Sequence, residues 1–218
     1  MNYLAPEISL LFATIIFISV VALNLIKKDS WSVWLYITQS LAIASLLLIT
    51  AYKEFSILLL IAIVATIAVK IIIAPYFFFD LLKKHQLKSP SKTYLNIWIT
   101  ALAMVILSGL TQTNFFKQLV HLAPEGQNFL FVSLATILLS LFSSINKKGA
   151  LSQMLGILFL ENGIVSFALF AGLEQNPALQ LGITFNILIW IIIATVFVSM
   201  IYQKFGSLDV SNMKHLTE

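Results

Sequence analysis

Hydrophobic residues occupy long, nearly unbroken runs of the chain, separated by short polar stretches. A helix needs about 20 mainly apolar residues to cross the roughly 30 Å hydrocarbon core of a bilayer. Seven runs approach that length: Glu7 to Ile26, Ser32 to Tyr52, Phe55 to Leu82, Tyr94 to Thr111, Gln127 to Ile145, Ala150 to Leu173, and Leu179 to Gln203. This pattern predicts an all-α, polytopic membrane protein with about seven transmembrane helices.

The connections between the runs predict a single integral membrane domain over residues 1–218. Even the longest connection, around Thr113 to Gly126, is too short to fold as a separate unit. The predicted parts are helices one to three in residues 1–92, helix four and a loop in 93–126, and helices five to seven with a C-terminal tail in 127–218. The first run lacks a basic segment before it, so we interpret it as a transmembrane helix and not as a cleaved signal peptide.

Composition agrees with a membrane location. Of the 218 residues, 60% are hydrophobic and only 10% are charged, whereas about a quarter of the residues in a soluble domain are charged. The mean hydropathy is +0.97. Because the chain has no Cys, it lacks the sulfur ligands for an iron–sulfur cluster or a thiolate zinc site. His85, His121 and His215 stand alone, so we predict no metal site in this chain. We also expect no cofactor and no catalytic residue.

The lysines give an orientation. The chain contains no Arg, and alternating helices place ten of its lysines on one side of the membrane: Lys27, Lys28, Lys83, Lys84, Lys88, Lys92, Lys147, Lys148, Lys204 and Lys214. The other side receives Lys53 and Lys117. Lysine enrichment marks the cytoplasmic side, so we expect the N-terminus outside and the C-terminus in the cytoplasm. The net charge of +4 then belongs to boundaries that face anionic lipid, and it does not predict a nucleic-acid partner.

Lys70 is the lysine that this division leaves inside a helix. It precedes Asp80 by ten residues, which places it roughly 15 Å from the cytoplasmic helix end and near the midplane. A lysine within a turn or two of a helix end snorkels to the interface, but this depth favours a side chain that faces the bundle interior or a hydrated cavity. Pro75 removes a backbone hydrogen bond and predicts a helix break beside Lys70.

Glu161 is a second charge at the same predicted depth. It lies eleven residues into a helix that starts at Ala150, again roughly 15 Å deep. One interpretation is a static ion pair with Lys70, or a protonated carboxyl that glues helices together. The other is a proton relay, because a buried carboxyl can alternate between its protonated and ionised forms.

Further polar residues flank these two positions, and we regard them as supporting candidates. An amide or hydroxyl within a membrane helix serves either as interhelical glue or as a guide for a water chain. The candidates are Gln39, Thr66, Gln153, Asn162 and Asn186. A faint internal repeat relates the segment after Lys27 to the segment after Lys147, and chance similarity explains it equally well.

The last third of the chain resembles a known family. Gln153-Met-Leu-Gly-Ile-Leu-Phe-Leu-Glu-Asn-Gly163, followed by a last helix and Gly206-Ser-Leu-Asp-Val-Ser-Asn-Met213, is similar to hydrogenase-4 component E, and Lys70-Ile-Ile-Ile-Ala-Pro75 resembles its Lys-x-x-x-x-Pro element. That family is related to the K component of complex I and to the C component of Mrp antiporters. The resemblance implies a complex I-like membrane arm in a bacterial or archaeal cytoplasmic membrane, with Glu161 as the carboxylate of the K component's second helix. The corresponding third-helix carboxylate is missing around Asn186, so Lys70 becomes the candidate partner.

These observations lead to one main hypothesis and two alternatives. We expect a noncatalytic subunit of a complex I-like or group 4 hydrogenase-type respiratory complex, with antiporter-like membrane subunits as partners and with Glu161 and Lys70 as proton relay residues. The first alternative is a purely structural subunit whose buried charges lock helix packing. The second is a cation/proton antiporter subunit or a transporter that works alone.

Overall fold

The computed structural model describes residues 6–53, 57–84, 92–117, 127–172 and 177–205. These ranges are almost entirely helical, which confirms the all-α prediction. The elements are α1 (Pro6–Leu25), α2 (Asp29–Lys53), α3 (Ile57–Ile67), a π-helical segment (Ala68–Ile73), α4 (Ala74–Lys84), α5 (Ile97–Leu110), α6 (Asn114–Lys117), α7 (Gln127–Asn146), α8 (Ala150–Phe170) and α9 (Pro177–Phe205).

Six helical stretches in these ranges are long and apolar enough to cross a bilayer, as expected of a polytopic membrane protein. They are Glu7–Leu25, Asp29–Ile49, Leu60–Lys83, Gln127–Asn146, Ala150–Phe170 and Thr184–Lys204. The fourth predicted run is shorter than the others, because α5 has 14 residues and a length of about 21 Å. Asn96 caps its start by accepting a hydrogen bond from the Ile99 N–H at 2.9 Å.

The third run departs from regular α-helix where the sequence predicts a break. The π-helical segment separates α3 from α4 and ends immediately before Ala74 and Pro75, and the Ala74 N–H donates to the carbonyl of Val69, five residues back. Pro75 has no N–H to donate, and its ring crowds the preceding turn. The wider π turn accommodates this residue, and it includes Lys70.

The tightest helix pair is α7 with α8. A Cβ atom at Gly156 would lie 2.8 Å from the Ser144 backbone nitrogen, and one at Gly163 would lie 3.2 Å from that of Ile137. At Gly156 any larger side chain would collide with the Ser144 backbone, and at Gly163 the contact is tight, as is common where transmembrane helices pack closely. Helices α1 and α2 pack against this pair, and α9 packs against α3 and α4 on the other side of the bundle.

Eight lysines gather at one end of the bundle, which we call the lysine-rich end: Lys27, Lys28, Lys83, Lys84, Lys92, Lys147, Lys148 and Lys204. Backbone contacts join two connections there. The Lys148 N–H donates to the Lys92 carbonyl at 2.9 Å, and the Tyr94 N–H donates to the Asn146 carbonyl at 2.8 Å. The start of α5 and the end of α7 therefore lie side by side.

The core has two apolar clusters stacked along the bundle. The cluster nearer the lysine-rich end includes Leu23, Val33 and Leu155. The other cluster includes Ile43 and Leu130. Buried polar side chains lie between the two clusters, at about half the length of the helices, and they form the candidate site.

Candidate functional site

The centre of the polar layer is a hydrogen bond between a lysine and an amide. Lys70 is 1% exposed, and its Nζ donates to Oδ1 of Asn162 at 2.8 Å. The side chain therefore points into the bundle and does not snorkel. The π turn carries Lys70 and α8 carries Asn162, so this bond joins the two sides of the bundle.

Asn162 also holds α2 in place. Its Nδ2 donates to Oε1 of Gln39 at 3.1 Å and to Oγ of Ser40 at 3.0 Å. Gln39 in turn donates from Nε2 to the carbonyl of Ile16 in α1 at 3.2 Å. All of these side chains are buried, so one connected group of polar atoms links four elements at mid-depth.

Glu161 directly precedes Asn162 in α8, and its carboxyl lies beside a small pocket next to α4 and α9. It is half-buried, it interacts electrostatically with Lys70, and its Oε1 has no hydrogen-bond partner among the described residues. It lines a small pocket with Phe78 of α4 and Trp190 of α9. The cavity volume is about 20 Å³, which is enough for about one water molecule. A carboxyl beside a cationic side chain and a water-sized space has the groups that proton exchange requires.

Two helix features position these side chains. The π turn changes the angular spacing of its residues, and it directs Lys70 inward toward α8 although the surrounding helix is regular. Gly163 lets α7 press against α8 just beyond Asn162. The amide is thus fixed on a closely packed helix pair, whereas the lysine comes from an irregular turn.

The other supporting candidates are dispersed. Thr66 lies about one turn from Lys70 and pairs with Thr184 of α9, with 3.0 Å between their hydroxyl oxygens. Gln153 lies at the lysine-rich end and donates to the Lys147 carbonyl at 2.7 Å. Asn186 is exposed on α9. Gln153 is thus displaced along α8 from Glu161, and Asn186 is turned outward on α9, so the structure does not bring either residue into the polar layer around Lys70.

Lys147 is a functional candidate that the sequence interpretation missed. The charge pattern assigns it to a solvated boundary, but its side chain is 1% exposed, and its Nζ has no hydrogen-bond partner among the described residues. Burial lowers the pKa of Lys147 to about 8, although the nearby Asp29 carboxylate opposes this shift. The one signal in the sequence is Asp29, the acidic residue at the start of α2, which directly follows Lys27 and Lys28.

A metal site is not formed in the described ranges, where no three His, Asp or Glu side chains converge. His85, His121 and His215 lie outside the described residues. The same is true of Lys88, of Lys214 and of the predicted C-terminal tail, including the segment Gly206 to Met213 on which part of the family resemblance depends.

Comparison with known proteins gives a distant similarity. No protein-family model matches the chain, and no solved structure matches it. The uncharacterized protein Rv0085 of Mycobacterium tuberculosis is 29% identical over 122 residues, which make up 55% of this chain and 56% of the relative. The match spans just over half the length of that relative, and the relative's name assigns no activity.

Proposed function

We propose that this chain is a noncatalytic membrane subunit of a complex I-like or group 4 hydrogenase-type complex, in which Lys70 and Glu161 take part in proton translocation. The observation that carries the proposal is the buried Lys70 Nζ, 2.8 Å from Asn162 Oδ1 and electrostatically coupled to Glu161. An ionisable pair at mid-depth is costly to maintain in a membrane, and such groups typically mark ion or proton pathways.

The resemblance to hydrogenase-4 component E supports the kind of complex. The segment Gln153 to Gly163 that carries the resemblance includes both Glu161 and Asn162. On this proposal the partners are antiporter-like membrane subunits and redox subunits, the membrane is the cytoplasmic membrane of a bacterium or archaeon, and electron transfer takes place on other chains.

We also propose seven crossings, with the N-terminus outside and the C-terminus in the cytoplasm. The start of α5 is bonded to the end of α7, whereas α7 begins at Gln127, about 30 Å away along a 20-residue helix. The start of α5 and the start of α7 therefore lie at opposite ends of the bundle, which supports α5 as a short seventh crossing. The lysine-rich end then faces the cytoplasm.

The test uses the complex purified through a tagged, full-length chain. Mass spectrometry of the accompanying subunits is expected to identify antiporter-like and metal-binding redox proteins. The complex is then reconstituted in liposomes, and electron transfer from hydrogen or formate is measured together with proton translocation. Glu161→Gln and Lys70→Met are each expected to lose most proton translocation while electron transfer continues.

Two matched controls make this test specific. Glu7→Gln and Lys83→Met make the same chemical changes at exposed positions near the helix ends, and both are expected to translocate protons normally. Wild-type translocation in both Glu161→Gln and Lys70→Met would overturn the proton role. Accompanying subunits of another class would overturn the assignment to a complex I-like assembly.

A structural role is the second candidate, and the three-way bonding of Asn162 favours it. A group that ties α1, α2, α8 and the π turn together also serves as packing glue. In that case Glu161→Gln and Lys70→Met lose subunit assembly and translocation together, whereas a proton role predicts that the assembled Glu161→Gln complex fails only in translocation.

A further inference from the structure

A buried polar stripe on α2 connects the lysine-rich end to the candidate site. Asp29, Ser32, Tyr36 and Ser40 lie at intervals of three or four residues, which places them on one face of the helix. Ser32, Tyr36 and Ser40 are each at most 1% exposed. From Asp29 to Ser40 the stripe rises about 16 Å, which is roughly half of the membrane core.

At the lysine-rich end, the stripe begins with a cluster of charged and polar groups. Ser152 Oγ donates to Asp29 Oδ1 at 2.5 Å, and the buried Lys147 interacts electrostatically with that carboxyl. The backbone around Lys147 is held by its pairing with Thr93 and by the bond from Gln153. These contacts hold the backbone of a lysine whose side chain is buried inside the bundle, although the residue belongs to the lysine-rich end.

The inner end of the stripe reaches Glu161. The Tyr36 hydroxyl is fully buried and interacts with Ser40 and with the Glu161 carboxyl, but the Ser40 contact lacks the full geometry of a hydrogen bond, and no other described residue supplies one. Ser40 accepts a hydrogen bond from Asn162. Buried polar atoms without protein partners are the positions at which proteins bind internal water. Tyr36 therefore has the position and chemistry of a link between the stripe and the site.

We propose that Lys147, Asp29 and Tyr36 form the route by which protons pass between the lysine-rich end and Glu161. This inference rests on the proposed function. The Lys147 ammonium loses one proton and becomes an amine, and the Glu161 carboxylate gains one proton. In between, water and the Tyr36 hydroxyl each accept one proton and release one, so that they return unchanged. Asp29 stabilises the charged form of Lys147 between transfers.

The test system is the assembled complex, reconstituted in liposomes and with wild-type electron transfer. The direction of proton movement does not affect the test, because the same groups carry protons in either direction. Tyr36→Phe removes a single oxygen atom and is the primary variant, with the exposed Tyr76→Phe as its matched control. Lys147→Gln is the second variant, with the half-buried Lys148→Gln as its control. We expect both primary variants to lose most of the translocation rate and both controls to keep it.

A pH profile separates a proton route from a packing defect. Acidification on the lysine-rich side is expected to restore part of the rate in Lys147→Gln, because a higher proton concentration compensates for the lost donor, whereas acidification on the opposite side is not. The charged groups around Lys147 are Asp29 of α2 and the neighbouring Lys92 and Lys148, so Asp29→Asn is expected to change the same profile.

The outcomes distinguish this route from the proposed function. If Glu161→Gln and Lys70→Met both translocate protons at the wild-type rate, the proposed function fails. If Glu161→Gln loses translocation while Tyr36→Phe and Lys147→Gln retain the wild-type rate and pH profile, the route fails and the proposed function stands. If Tyr36→Phe and Lys147→Gln lose translocation, but acidification of either side has the same effect on Lys147→Gln, the directional role of Lys147 is overturned.

Discussion

The two sides of the bundle are built differently, and the candidate site lies where they meet. One side, consisting of α1, α2, α7 and α8, is closely packed, and Gly156 and Gly163 bring two helices nearly into backbone contact. The other side, consisting of α3, the π turn, α4 and α9, is irregular at Lys70, and a small cavity beside Glu161 separates α4 and α9 from α8. Asn162 belongs to the first side and Lys70 to the second.

On the proposed function, the two sides of the bundle meet two different requirements: one side fixes the hydrogen-bonding groups, and the other supplies an ionisable side chain. The closely packed side fixes the amide and hydroxyl groups of Asn162, Gln39 and Ser40 by mutual hydrogen bonds. The irregular side supplies a cationic side chain from a turn whose backbone bonds already deviate from the α pattern. Short π-helical turns occur frequently at functional sites, and this one puts a lysine against a preorganised acceptor.

The largest expected effect on stability is the difference between substituting the buried Asn162 and substituting the exposed Asn186. Asn162→Leu removes an acceptor of Lys70 and the donor to Gln39 and Ser40, and we expect it to destabilise the protein by about 3 kcal/mol because several buried polar groups lose a hydrogen bond at once. Asn186→Leu makes the same change at an exposed position and is expected to change stability by less than about 0.5 kcal/mol. Thermal unfolding in one detergent compares them; equal effects would contradict the central position of Asn162.

The next effect concerns a charge buried on the closely packed side. Below pH 8 Lys147 is protonated in both the folded and unfolded states, and the folded protein bears the full cost of burial. Between about pH 8 and its ordinary value of 10.5, the unfolded chain binds more protons, so stability is expected to rise with pH by up to about 3 kcal/mol. Unfolding measured across this range checks the sign.

Lys147→Met provides the control for that pH dependence. The variant has no titrating group at this position, and we expect the rise in stability between pH 8 and 10.5 to diminish strongly. An unchanged pH dependence in Lys147→Met, or a fall in stability of the wild-type protein over the same range, would show that Lys147 is not buried as described.

The smallest effect tests the packing difference directly. Gly156→Ala places a methyl group 2.8 Å from the Ser144 backbone nitrogen, and the resulting helix displacement is expected to cost about 1–3 kcal/mol. Gly182→Ala on α9 meets no atom within 4 Å, so we expect it to be neutral or to stabilise the helix by about 0.5–1 kcal/mol. If both variants lose stability equally, the two sides of the bundle do not differ in packing.

Much of the helix layout follows from the sequence because apolar runs of membrane length have few alternatives to a helix. The predicted runs coincide with the observed helices to within a few residues, and Pro75 indicates the break in the third run. The length of α5 is less predictable, since a capping residue such as Asn96 and a following turn shorten a helix without reducing its hydrophobicity.

The site is only partly predictable, because depth along a helix is readable from sequence but the facing direction is not. Lys70 and Glu161 have matching depths in the sequence, yet the direct hydrogen bond of Lys70 goes to Asn162. The sequence pattern places Lys147 at a solvated boundary, and only the pairing of residues 92–94 with 146–148 shows why it is buried. These relations depend on which helices are neighbours, and periodicity in an almost uniformly apolar helix carries little of that information.

Infrared difference spectroscopy tests the claim that Glu161 exchanges protons more directly than any other measurement. The full-length chain in lipid bilayers is titrated across the physiological pH range, and the C=O stretch of protonated carboxyl groups is recorded. We predict a band that changes with pH, that is lost in Glu161→Gln, that shifts in Lys70→Met and that is unaltered in Glu7→Gln. A spectrum in which Glu161→Gln removes no pH-dependent carboxyl band would contradict the account.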